Sequence, residues 1–368
     1  MTGRSGIVIL GGGVIGLSTA YFLARMGIHS TIIERGKLGG ESSWAGAGII
    51  PPGNLAFATR PIDRLRALSV EMFPSFSSDL RTLTGIDNGY HRCGAIELVG
   101  GVTPDVIADW RNERISHELR VPEEWVPTSP ALAGLSQAGY YLPDAAQVRN
   151  PWHLRALVEA CRRLNVTMVE SAGVCEVILE NASSRSIKSE LGEWPADDVL
   201  IAAGAWSDLI LEPLGLSLGI HPIRGQMVLY RLPERIFEPI IMDGARYIVP
   251  RNDGRVLVGS TEEDVGFYKV TTNEAIAELR AFAERTLPCL RGAAIEKTWA
   301  GLRPGTVHGQ PILGPFPGIG GLFIAAGHFR SGIQLSPATG TVMAELLANE
   351  EPSLPIEAFL PNPTPAKV

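Results

Sequence analysis

The chain of 368 residues contains few cysteines and no obvious metal motif. Its four cysteines, Cys93, Cys161, Cys175 and Cys289, form no CxxC pair, whereas disulfide frameworks and zinc sites need closer or more numerous sets. None of the seven histidines forms an HxxxH pair. We therefore predict that the protein holds no metal and keeps its cysteines reduced, as is usual in the cytoplasm.

The chain also lacks an excess of basic residues. It has 32 Lys and Arg against 39 Asp and Glu, a net charge of -7, so we expect neither nucleic acid nor an anionic membrane as a partner. Residues 5–24 carry no charge and could be mistaken for a membrane span. Three consecutive glycines in the middle, each costing a helix about 1 kcal/mol, argue instead for a strand, a tight turn and a helix.

The order of predicted elements indicates two domains. A strand at 7–10, a helix at 14–26 and a strand at 29–33 form a βαβ unit, which predicts a parallel sheet. Residues 221–259 contain strands around an Asn-Asp-Gly turn, which predicts antiparallel pairing. We predict an α/β fold: a doubly wound nucleotide-binding domain (1–85, 145–220 and 300–368) with an inserted, mainly antiparallel substrate domain of α+β type (86–144 and 221–299). A helix at 60–86 should break at Pro74.

The segment from Gly11 to Gly16 fits the G-x-G-x-x-G pattern between a strand and a helix. Gly11 allows the tight turn, Gly13 lets the backbone approach a pyrophosphate, and Gly16 lets the helix pack against the strand. The N-terminus of that helix favours phosphate. Glu34, at the end of the second strand, can accept hydrogen bonds from ribose and repels a 2′-phosphate, which favours FAD or NAD. The alternative is a surface glutamate beside Arg35.

Two further segments favour FAD over NAD. Residues 42–49 (SSWAGAGI) are small and let the backbone lie close to a flat ring, although a plain Gly/Ala loop is the alternative. Residues 327–332 (GHFRSG) precede the last predicted helix and supply a second helix N-terminus. A flavin needs such a positive end, because its reduction leaves negative charge on the ring.

These motifs resemble those of the D-amino acid oxidase family of flavoproteins, and within it the glycine oxidases of thiamine biosynthesis. The most specific are SSWAGAGI (42–49), VLIAAGAWS (199–207), RYIVPR (246–251), WAGLRPGT (299–306) and GHFRSGIQLSPATG (327–340). The resemblance implies a Rossmann-like domain that binds FAD non-covalently. It implies cofactor contacts at Val14, Ile15, Glu34, Arg35, Ser42, Ser43, Ala47, Gly48, Ile49, Val174, His328, Phe329, Arg330, Ser331, Gly332, Ile333 and Gln334.

Arg303 is the candidate for binding a substrate carboxylate. A planar guanidinium suits that role best, and Arg303 directly follows a predicted apolar strand at 295–301; a surface salt bridge is the alternative. The resemblance assigns the carboxylate to Arg303, adds the phenol of Tyr247, and places Arg330 at the mouth of the site. It also implies oxidative deamination of glycine or another small amino acid or amine, by hydride transfer from the α carbon to flavin N5. The products would be an imine, then an oxo-acid, with O2 reduced to hydrogen peroxide.

Several points stay open at this stage. We assign no residue as acid or base, and we expect a homo-oligomer. His308 stands where the D-amino acid oxidase family usually has an acidic residue. Glu262 stands at the edge of the pocket, where the best-known glycine oxidases have an apolar residue. No cysteine follows Cys289, which argues against the sarcosine oxidases whose flavin is linked to a C-terminal cysteine. The alternatives are a dehydrogenase that uses an acceptor other than oxygen, or a non-catalytic flavin-binding subunit.

Overall fold

The computed structural model describes residues 6–125, 129–179 and 185–366. The helices are α1 (Val14–Arg25), α2 (Ser42–Ala45), α3 (Pro61–Thr84), α4 (Pro104–Asn112), α5 (Asn150–Arg163), α6 (Ser207–Leu211), α7 (Asn273–Thr286) and α8 (Gly332–Leu347). The strands are β1 (Ile7–Leu10), β2 (Ser30–Ile33), β3 (Ile49–Ile50), β4 (His91–Arg92), β5 (Ala95–Leu98), β6 (Glu118–Arg120), β7 (Gly139–Leu142), β8 (Ala146–Gln147), β9 (Thr167–Val169), β10 (Glu176–Leu179), β11 (Arg185–Ser189), β12 (Gly192–Ala196), β13 (Asp198–Ile201), β14 (Leu216–Ser217), β15 (His221–Arg231), β16 (Ile240–Asp243), β17 (Arg246–Pro250), β18 (Arg255–Gly259), β19 (Ala294–Gly305), β20 (Ile312–Pro315), β21 (Leu322–Ala326) and β22 (Thr364–Pro365).

A parallel sheet of strands from both ends and the centre of the chain supports the first half of the molecule. Its order is β20-β21-β13-β1-β2-β9, and only β20 runs antiparallel to its neighbour. Side chains alternate between the faces of β1: Ile9 packs toward α1, α3, α5 and α8, whereas Val8 packs toward the small sheet β10-β11-β12. The predicted α/β class and parallel sheet are confirmed.

A larger, mainly antiparallel sheet forms the second half. Its order is β19-β15-β18-β17-β16-β5-β7-β6. Adjacent strands of this sheet run antiparallel, except β16 and β5, which run parallel. Helix α7 covers it through buried side chains such as Leu279 and Phe282. These strands come from residues 95–142 and 221–305. The antiparallel character is confirmed, and the exact domain boundaries stay a prediction.

The structure corrects two local predictions. Helix α3 continues through Pro74, so the predicted break is wrong. A proline removes one backbone donor, but Phe73, Phe76 and Leu80 are buried on both sides of it and hold the helix in place. Strand β19 extends to Gly305, so Arg303 lies within the strand, paired with Ile223, rather than after it.

Candidate functional site

A cleft of about 570 Å³ lies between the carboxyl ends of the parallel strands and the antiparallel sheet. Leu10, Ile33 and Ala326 mark the strand ends, while Met227 and Tyr247 come from the antiparallel sheet. The carboxyl edge of a parallel sheet is where such folds bind ligands. The predicted site residues that line the cleft are Gly11, Gly13, Val14, Ile15, Glu34, Arg35, Ser42, Ser43, Ala47, Gly48, Ile49, Val174, Tyr247, Arg303, His328, Phe329, Arg330, Ser331, Gly332, Ile333 and Gln334.

The turn before α1 has no room for a side chain at Gly11. Gly11 has φ +114°, and a Cβ there would lie 2.4 Å from the carbonyl oxygen of Ala202. Gly16 does not line the cleft. A Cβ on it would lie 2.0 Å from the carbonyl oxygen of Gly11. Gly16 therefore serves the close packing of helix on strand, and Gly11 and Gly13 present the backbone to the cleft.

Glu34 is held by the backbone around the first turn. Its Oε2 accepts the N–H of Gly12 and its Oε1 accepts the N–H of Gly36, both at 2.8 Å. Each carboxylate oxygen keeps a lone pair for a further donor, such as a ribose hydroxyl. At the start of α1, the Oγ of Ser43 accepts the N–H of Val14 at 3.0 Å. Glu34, which follows β2, and Ser43 of the 42–49 segment thus both bind the backbone of the turn before α1.

The end of the cleft that Arg35 and Val174 line is more exposed to solvent than the end that contains Arg303. The guanidinium of Arg35 lies 4.1 Å from the ring centre of Trp206 and 3.4 Å from Glu41. Val174, with 69% of its surface exposed, lines the same end. Trp206 was not predicted as a site residue, although it lies in the VLIAAGAWS motif. Its contact with Arg35 depends on tertiary structure and leaves no signal in residue spacing.

The loop before α8 carries buried polar atoms without partners. Nε2 of His328 lies 3.2 Å from Oγ1 of Thr339, but its Nδ1 has no hydrogen-bond partner among the described residues, and neither does Nε2 of Gln334. Burial lowers the pKa of His328 to about 3, so its ring is neutral at neutral pH. Unpaired buried polar atoms are costly, and at the wall of a cleft they indicate a polar ligand.

Arg303 lies partly buried at the other end of the cleft. Its Nη1 donates to the carbonyl oxygen of Thr261 at 3.0 Å, and its Nη2 donates to Oγ of Ser260 at 2.6 Å. Burial lowers its pKa, the neighbouring phenol of Tyr247 opposes that shift, and the positive charge of Arg330 adds to it. Because each Nη carries two hydrogens, one N–H on each remains for a carboxylate.

Two neighbours complete the substrate end. Tyr247 is buried, and its hydroxyl donates to Sδ of Met227 at 3.4 Å, a weak acceptor that a carboxylate can replace. Arg330 donates from Nη2 to the carbonyl oxygen of Ala245 at 2.7 Å and lies 3.7 Å from Glu262. The structure therefore brings Arg303, Tyr247 and Arg330 together at one cleft.

Sequence reasoning missed Gly225, on the strand beside Arg303. A Cβ there would lie 2.2 Å from Nη2 of Arg303, so this glycine makes the space for the guanidinium. His308 and Glu262 differ from the pattern of the family. His308 is exposed and does not line the cleft. Glu262 is half exposed and does not line the cleft itself, but it lies 3.7 Å from Arg330, which does.

The described part of the chain shows no cluster of three or more His, Cys, Asp or Glu side chains that could hold a metal ion. Among its helices, none combines the length and the apolar character needed to span a membrane.

Comparison with known proteins agrees with this geometry. A family model described as "DAO: FAD dependent oxidoreductase" matches residues 6–346. The chain is 36% identical to the glycine oxidase of Pseudomonas aeruginosa over 357 residues, which are 96% of this chain and 98% of the relative. The crystal structure of glycine oxidase from Geobacillus kaustophilus has a TM-score of 0.89 at 30% identity, covering 97% of this chain and 98% of that one. Iminodiacetate oxidase from Chelativorans sp. BNC1 has a TM-score of 0.84 at 26% identity, covering 96% and 98%.

The residues present fit FAD. The turn has no room for a side chain at Gly11, and Gly13 also presents its backbone to the cleft, which suits a pyrophosphate. Glu34 keeps free lone pairs for a ribose. At the second helix end, His328 and Gln334 have buried polar atoms that a flavin ring could satisfy. With the family model covering most of its length, the chain belongs to the DAO family of FAD-dependent oxidoreductases.

Proposed function

We propose that the protein is an FAD-dependent amino acid oxidase that acts on glycine or another small amino acid or amine. One observation carries this proposal: a partly buried arginine, Arg303, faces the same cleft that both glycine-flanked helix ends line. The glycine oxidases among its relatives support the choice of a small substrate.

The turn at Gly11, the carboxylate of Glu34 and the N-terminus of α8 would hold FAD without a covalent link, and the cofactor would supply the acceptor for a hydride from the α carbon and the reduction of O2 to hydrogen peroxide. The chain supplies orientation. Two free N–H groups of Arg303 and the hydroxyl of Tyr247 bind the carboxylate, and this fixes the direction of the Cα–H bond. The apolar side chains of Met227, Met242 and Ile49 also line the cleft and limit the entry of water.

The amine must be neutral before it can release a hydride from its α carbon. We assign no side chain as acid or base for this step, and the proton leaves to solvent at the open mouth of the cleft. The resulting imine hydrolyses to an oxo-acid and ammonia, or to an amine when the substrate nitrogen is alkylated. Binding and positioning by Arg303 and Tyr247 therefore account for the contribution of the chain to the rate.

The test is anaerobic addition of glycine, sarcosine or D-alanine to the purified holoenzyme, followed by the visible absorbance of the flavin. We expect at least one of them to bleach the flavin faster than ethylamine, which has no carboxylate for Arg303 to bind. Admission of air should then restore the absorbance and yield one hydrogen peroxide for each substrate oxidised.

Each outcome separates the alternatives. Bleaching without peroxide formation would indicate a dehydrogenase that uses another acceptor. A flavin that no amine bleaches would contradict the proposal and favour a non-catalytic flavin-binding subunit. A cytoplasmic location and a homo-oligomeric state also stay proposals; light scattering on the purified holoenzyme measures the second.

A further inference from the structure

The segment from Ser260 to Glu262 contacts both arginines of the substrate end. Ser260 and Thr261 accept hydrogen bonds from Arg303, through Oγ and the carbonyl oxygen. The next residue, Glu262, faces Arg330, with Oε2 3.7 Å from Nη1. Three consecutive residues thus contact two guanidinium groups, and of the two only Arg330 has a carboxylate within ion-pair distance among the described residues.

The two arginines are neighbours in the fold. Arg303 precedes Pro304, whose carbonyl oxygen accepts the N–H of Phe329 at 3.0 Å, and Arg330 follows Phe329. The hydrogen bond therefore joins the strand of Arg303 to the loop of Arg330, and both side chains line the cleft. A substrate with two carboxylates could reach both guanidinium groups if both were free.

Glu262 gives Arg303 and Arg330 different electrostatic surroundings. The hydrogen-bond partners of Arg303 are neutral. Burial lowers its pKa, and the charge of Glu262 acts on it from beyond ion-pair distance and opposes that shift. Its positive charge is therefore available to a substrate. Arg330 already faces a carboxylate at the mouth of the cleft. A second anionic group on the substrate would have to replace Glu262 beside Arg330, or lie next to it and be repelled.

We propose that Glu262 is a specificity-determining residue: by facing Arg330 it selects amino acids with one carboxylate and rejects those with a second carboxylate on the nitrogen substituent. This inference rests on the proposed function. Glu263 cannot take this role, because its carboxylate is bound to Arg224, Gln226 and Thr261. Glu262 has half of its side chain exposed, so its removal should leave the fold intact.

The first experiment measures binding and needs no turnover. Butyrate matches sarcosine and glutarate matches iminodiacetate, with a CH₂ in place of the nitrogen, so neither is oxidised at that position. Their dissociation constants would be measured on the FAD holoenzyme from the change in flavin absorbance. In Glu262→Gln we expect the preference for butyrate over glutarate to fall about tenfold, the effect of one charge about 4 Å away at a half-exposed site.

The matched control is Asp264→Asn. Asp264 is exposed two residues further along the same segment, and like Glu262 it does not line the cleft. Among the described residues Arg330 is paired with Glu262 and not with Asp264, so the substitution removes the same charge without freeing Arg330. We expect its preference to equal that of the unmodified protein. An unchanged preference in Glu262→Gln, or an equal change in Asp264→Asn, would overturn the proposal.

The second experiment measures kcat/KM for sarcosine and iminodiacetate in the same three proteins. Glu262→Gln should raise the ratio of iminodiacetate to sarcosine about tenfold, and a ratio that does not move while sarcosine is still oxidised would overturn the role of Glu262. If no protein oxidises any amine but the binding preference changes as expected, the proposed oxidase function fails and the assignment of Glu262 stands.

Discussion

The two ends of the cleft differ in whether backbone or side chains form them. The cofactor end consists largely of backbone: the turn at Gly11, the small residues at 42–49 and the N-terminus of α8. The substrate end consists of side chains, with Arg303 on β19, Tyr247 on β17 and the space left by Gly225 on β15. A backbone site needs glycines at fixed spacing in a short segment, whereas a side-chain site needs strands that are distant in the sequence to pair in the correct register.

The difference predicts that the two ends can be damaged separately. The most complete loss of function should come from Gly11→Val at the cofactor end, because a protein without FAD has no turnover at all. The valine Cβ would overlap the carbonyl of Ala202, and the backbone has φ +114°, which valine rarely adopts. We expect the affinity for FAD to fall at least about a hundredfold, so that the purified protein is colourless; absorbance at 450 nm and FAD titration measure this.

The matched control is Gly27→Val, at the end of α1. Gly27 also has positive φ (+77°), but a Cβ there would meet no atom within 4 Å. We expect this variant to lose about 1 kcal/mol of stability and to keep its FAD. Equal loss of FAD in both variants would mean that backbone strain, rather than the space at the cleft, controls cofactor binding.

Damage of the opposite kind should follow from Arg303→Ala. The variant should keep FAD but lose two charge-assisted hydrogen bonds to the substrate, so that kcat/KM falls about a thousandfold, mostly through KM. Arg303→Lys keeps the charge without the planar pair of donors, so its kcat/KM should lie between the values of Arg303→Ala and the unmodified protein. Steady-state kinetics and the flavin spectrum measure both effects. Unchanged kcat/KM in Arg303→Ala would remove Arg303 from the substrate site.

The smallest effect should come from Gly225→Ala, which acts on the substrate end indirectly. The added methyl group overlaps the guanidinium of Arg303 and shifts it from Ser260 and Thr261. We expect kcat/KM to fall about tenfold with FAD retained. If the effect acts only through Arg303, the double variant with Arg303→Ala will be no worse than Arg303→Ala alone, and additive effects would contradict this explanation.

The same contrast explains what the sequence could predict. The parallel sheet and the Gly11 turn follow from local patterns, because hydrophobic period and glycine spacing are properties of a short segment. Trp206 and Gly225 were missed because their roles depend on which strand or ring lies opposite. The assignments of Arg303 and Tyr247 relied on family resemblance. The unbroken helix at Pro74 was mispredicted because the buried side chains on both sides outweigh one absent hydrogen bond.

Strand β19 is an edge strand of the antiparallel sheet; residues 294–297 are exposed, whereas the rim of its second half is covered. Trp299 donates from its indole nitrogen to the carbonyl oxygen of Ala45 in α2, and the carbonyl oxygen of Pro304 accepts the N–H of Phe329. Unpaired strand edges invite self-association. An isolated fragment carrying only the antiparallel sheet would expose this rim and aggregate, because residues of the cofactor half protect it.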